Sequence, residues 1–106
     1  MKIPLMAFAI LALSASSAFS NCYEIIGCTN SDHFDTSDLE NLSCQTLWEV
    51  RNQIYHENGY CFQSERAAAT FSNDSCSISH AAGVALNNHE RGNIERIKSV
   101  EKSRGC

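Results

Sequence analysis

Six cysteines carry most of the chemistry this chain could perform: Cys22, Cys28, Cys44, Cys61, Cys76 and Cys106. Such a set can cross-link the chain, hold a metal or offer a thiolate nucleophile. Structural zinc asks for short ligand spacings, and no C-x-x-C or H-x-x-x-H occurs among these long, irregular gaps. The missing C-x-x-C also argues against a redox-active pair. An even count in an exported chain therefore reads as disulfides, although spacing alone leaves the pairing open.

The remaining candidates are sparse. His33, His56, His80 and His89 could serve acid–base chemistry, but each lies in a polar stretch, so surface positions are expected. Asp32, Asp35 and Asp38 are spaced by three, without the glycine and distal glutamate of an EF-hand calcium loop. No G-x-S-x-G, phosphate loop or Cys–His nucleophile context is present. With the cysteines committed to bridges, the chain has no evident nucleophile. We expect no enzyme, cofactor or metal. Asn41-Leu42-Ser43 and Asn73-Asp74-Ser75 are glycosylation sequons, meaningful only in a eukaryotic source.

Export itself is read from the N-terminus. Lys2, the run Ile3 to Leu13 and the small-x-small exit Ala18-Phe19-Ser20 form a cleavable secretory signal over 1–20. The apolar run is too short to span a bilayer, which takes about 20 residues. Cleavage removes 20 of 106 residues and one of eight basic ones, leaving 86 residues with seven basic and twelve acidic side chains. That balance excludes nucleic-acid binding through a basic face and offers little to anionic lipid. No membrane span is expected in the mature chain.

A domain of this size has a marginal core and gains from staples. Residues 21–41 read as a lead-in, loop-like, with Tyr23 to Ile26 as a short extended piece between Cys22 and Cys28. Ser37 and Glu40 have the spacing of a capping box. Ser43 caps the strongest helix, Cys44 to about Asn58, whose stripe contains Cys44, Leu47, Trp48, Ile54 and Tyr55. Gly59 follows as its left-handed stop. Ser64 caps a second helix over Glu65 to Phe71. Ser72 to Gly83 is a polar loop anchored by Cys76. Asn87 and Glu90 open a last helix that buries Ile94, Ile97 and Val100 and ends at Gly105. The expected fold is all-α: a disulfide-stapled three-helix domain around a Trp48–Ile54–Ile94–Ile97 core.

If the first and last long helices are antiparallel, Cys106 comes near Cys44. Cys61 and Cys76 bracket the second helix, and Cys22 and Cys28 are left to close the lead-in. Arg51 falls within the apolar stripe, where an unpaired guanidinium costs several kcal/mol. Glu90 or Glu101 on the last helix are its expected partners; the alternative is an Arg held to receive an anionic ligand such as a peptide carboxylate. Asn52 is expected to bond loop backbone, with Tyr55 and Tyr60 packing around Gly59.

The stretch Leu47 to Phe62 resembles the core of the YARHG domain, whose pattern runs L-R-N-x-I-Y-A-R-H-G-Y-x-F. Arg51-Asn52, Ile54-Tyr55, Gly59-Tyr60 and Phe62 match it, and Leu86, Glu90, Asn93, Ile94, Ile97 and Glu101 match the family's later block. The resemblance covers about Leu42 to Glu101, giving a YARHG-like helical domain over 42–106. His56-Glu57-Asn58 stand where the family has Ala-Arg-His, so roles of that Arg and His are not carried over. The resemblance implies a small bacterial extracytoplasmic domain, often attached to other envelope modules and without an established activity.

The functional expectation is a secreted or periplasmic, non-enzymatic binding module recognising a protein or envelope component. The alternative is a small secreted inhibitor or effector acting on an enzyme through the loop Ser72 to Gly83. An enzyme built on Arg51, a histidine and a carboxylate ranks last. Mass spectrometry of the exported protein should show residues 1–20 removed and six cysteine hydrogens missing; free thiols after export would defeat the staple reading.

Overall fold

The computed structural model describes residues 20–106, so the expected signal segment, Ser20 apart, lies outside the described residues. The described chain is mostly helical, with a two-strand ribbon added at its start. Strand β1 (Cys22–Tyr23) pairs antiparallel with β2 (Gly27–Cys28), Cys22 facing Cys28. The helices are α1 (Thr36–Leu39), α2 (Cys44–Glu57), α3 (Glu65–Phe71) and α4 (Asn88–Arg104), with a 3-10 turn at Ala81–Gly83.

Local signals account for the helix ends. Ser43 accepts from the Thr46 amide and Ser64 from the Ala67 amide. Asn87 and Glu90 form a reciprocal capping box. Gly59 and Gly105 take positive φ, 86° and 74°, where a side chain would be strained. One expected cap does not form. Helix α1 begins at Thr36 behind Asp35, and no side-chain bond caps it, so Ser37 and Glu40 are not its box.

Helices α2 and α4 are antiparallel because contacts at three levels join them in reverse order. Cys44 is bonded to Cys106 at one end. Arg51 meets Glu101 in the middle, and Asn58 donates to Glu90 at the other end (3.0 Å). The other disulfides are Cys22–Cys28 across the ribbon and Cys61–Cys76. Chain entropy makes the long Cys44–Cys106 loop the largest contributor, about 4 kcal/mol against roughly 2 and 3 for the others.

The core corrects the expected composition. Leu47, Val50 and Ile54 form the buried stripe of α2, facing Ile94, Ile97 and Val100 of α4. Trp48 is only half-buried. It lies against Phe71 (ring centroids 5.8 Å) under the Arg66 guanidinium, at the margin where α3 packs on α2.

The lead-in supplies Ile26, Phe34 and Leu39, with Phe34 and Leu39 at 0% exposure. Asn93 fastens it. The Asn93 Oδ1 accepts from the Phe34 amide (2.9 Å) and from Arg96 Nη2 (2.7 Å). Its Nδ2 donates to the Thr29 carbonyl (3.0 Å) and the Asp32 carbonyl (2.9 Å). Gly27 permits the preceding turn: its φ is +104°, and a Cβ there would sit 2.8 Å from Asp32 Oδ2. That same oxygen accepts from the Cys28 amide at 2.7 Å.

Candidate functional site

Two neighbouring hollows run along one side of α4, sharing Glu95 as a common wall. The first, of about 600 Å³, is open and bordered by the charged side chains of Arg51, Lys98, Glu101 and Lys102, whose carbon stems supply much of its wall. The second, of about 300 Å³, lies between α4 and the 3-10 turn; Ala81, Ala82, Val84, Leu86 and Ile94 give it an aliphatic lining. Tyr55 and Arg91 complete its rim. Arg51 and Tyr55 are four residues apart on α2, so one helix face of α2 borders both hollows.

The charge of this face is opposite to that of the chain. Four of the seven described Lys and Arg residues border it (Arg51, Arg91, Lys98, Lys102), against two of twelve carboxylates, Glu95 and Glu101. In a chain of formal net charge −4, that is a local excess of cations.

Arg51 forms a forked pair with Glu101: Nε to Oε1 at 2.8 Å and Nη2 to Oε2 at 3.1 Å. The side chains are 26% and 13% exposed, sheltered enough for geometry to count. Glu90, the other expected partner, is instead committed to the Asn87 amide (2.9 Å) and Asn58. Lys98 reaches Glu95 at 3.6 Å, with both side chains largely in water. That contact is readily exchanged. Arg91 is held by the Leu86 carbonyl and Asn88 Oδ1.

The other motif residues serve the scaffold. Asn52 donates to the Trp48 carbonyl of its own helix (2.9 Å), not to loop backbone. The Gly59 carbonyl accepts from the Ser77 and Ile78 amides, and the Cys61 amide donates to Ile78. Tyr60 sits beside Tyr55 (5.7 Å) and edge-on to Phe62 (5.0 Å). Asn73 brackets Phe62, accepting from its amide and donating to its carbonyl. The loop Ser72 to Gly83 is thereby tied back onto residues 59–62.

His33, His80 and His89 are exposed and scattered. His56 corrects the expectation of a surface histidine: it is half-buried, with its ring near Phe62 (6.5 Å) and Phe71 (5.7 Å). Among the described residues no three His, Cys, Asp or Glu side chains gather as a metal site. A smaller hollow, about 180 Å³, lies between the ribbon and α2 beside Ile25, which is 74% exposed. At its edge burial, then the charges of Glu49 and Glu57, raise the Tyr23 phenol above its ordinary 10.0. No described helix is long and apolar enough to cross a membrane.

The YARHG domain family model matches residues 22–102, including the lead-in that the motif pattern alone did not reach. No curated protein and no solved structure matches the chain.

The forked pair generates a stability test. Arg51→Ala should lower the unfolding free energy in urea by roughly 1–3 kcal/mol, because it strands a sheltered carboxylate. The Arg51→Ala/Glu101→Ala double variant should recover part of that loss. Additive losses would show that the two side chains are not coupled.

Proposed function

This chain belongs to the YARHG domain family, and on that premise we propose that it is a secreted or periplasmic binding module without catalytic activity. The observation that carries the reading is the groove along α4. It has an aliphatic half, a cationic half and two motif residues, Arg51 and Tyr55, on its border. A mixed apolar and charged concavity is suited to recognition. Three disulfides support an oxidising, extracytoplasmic setting. The signal-like segment 1–20 supports the same placement.

The inhibitor alternative has less support. Inhibitory loops act by standing clear of their scaffold, whereas Ser77, Ile78 and Asn73 are bonded to residues 59–62.

The reading is tested by immobilising mature protein and comparing what it retains from an envelope extract. Ala82→Arg, which fills the aliphatic hollow from an exposed position, should abolish specific capture. Ile25→Ser, at the distant ribbon, should leave capture unchanged. Equal capture by wild type and Ala82→Arg would remove the groove from the account.

A further inference from the structure

We infer that the groove takes an extended peptide segment with an apolar side chain and, two to four residues away on either side, a carboxylate. This rests on the groove being a binding site and adds the chemistry of its occupant.

The apolar anchor belongs in the hollow of Ala82, Val84, Leu86 and Ile94. From Ile94, Lys98 is four residues along α4 and Lys102 eight. At 1.5 Å rise per residue these cations lie roughly 6 and 12 Å from the anchor. An extended chain covers about 3.3 Å per residue, so an acidic side chain two to four positions away meets them.

Both lysines are available. Lys102 makes no ion pair among the described residues, and Lys98 has only the exposed contact to Glu95. Arg51 prepares the site by neutralising Glu101, whose charge would otherwise repel the incoming carboxylate. Glu95 stands between anchor and lysines, which disfavours an acid directly beside the anchor.

Other ligand classes fit less well. A phosphate backbone, with a charge at every unit, would find only Lys98 and Lys102 free beside Glu95, and an anionic membrane would meet a chain of net charge −4. A sugar ring would find a mainly aliphatic lining with Tyr55 as its single aromatic side chain.

The test uses isotope-labelled mature protein and six octapeptides carrying one Leu, with Glu two, three or four residues before or after it. At least one should shift the amide resonances of Ile94, Lys98 and Lys102 saturably. Replacing its Glu by Gln, or its Leu by Ser, should each weaken binding roughly tenfold, about 1.4 kcal/mol. Lys98→Glu/Lys102→Glu, on an exposed helix face, should abolish the shifts without altering resonances of the Leu47 and Val50 core. Equal binding of the Glu and Gln peptides, or shifts produced only by phosphatidylglycerol vesicles, would overturn the inference. So would silence from all six peptides. In those cases capture that still depends on Ala82 would leave the binding-module reading standing with a different ligand; loss of both would end both.

Discussion

The side-chain amide of Asn93 holds the lead-in of this domain in place. It is fully buried, and it fills every position an amide has to offer: two acceptances at Oδ1 and two donations from Nδ2. Three of the four partners are backbone groups of the lead-in, about sixty residues away in sequence. A buried polar group stabilises only when satisfied, and each unmatched one costs about 1–3 kcal/mol. Asn93 therefore specifies one position of residues 29–34 against α4 and disfavours others. Phe34 and Leu39 enter the core as a consequence, in a domain too small to do without them.

With one side of α4 fixed this way, its other side is free to be polar. Ile94, Ile97 and Val100 turn inward, while Glu95, Lys98 and Lys102 face the groove. The antiparallel clamp with α2 sets the groove's second wall. Cys44–Cys106 and Asn58–Glu90 fix the two ends, and Arg51–Glu101 fixes the register between them. The motif residues thus divide by task. Gly59 and Tyr60 shape the end of α2 and its following loop, Asn52 bonds the Trp48 carbonyl within α2, and Arg51 and Tyr55 border the concavity.

Local signals in the sequence locate the long helices well, because a cap is a matter of a few adjacent residues. Ser43, Ser64 and the Asn87–Glu90 box are such cases. The lead-in is harder to read, since its burial depends on a polar residue from the far end of the chain. An asparagine on a helix reads as surface until its partners are known. Helical periodicity points to the stripe of α2 with Trp48 as the buried one, and the structure buries the adjacent stripe with Val50 instead. Packing of α3 and Arg66 against the Trp48 ring decides between them. The groove was invisible for a related reason. Ala81 and Ala82 belong to a stretch that reads as polar loop, and only the 3-10 turn brings them beside Ile94.

Native-state hydrogen exchange at the Phe34 amide probes the central claim most directly. That amide lies outside any helix or strand, yet it donates to buried Asn93 Oδ1. If the lead-in and α4 form one cooperative unit, Phe34 exchanges as slowly as Ile97 in the middle of α4. Exchange at the rate of an open loop, with Ile97 still protected, would contradict the account.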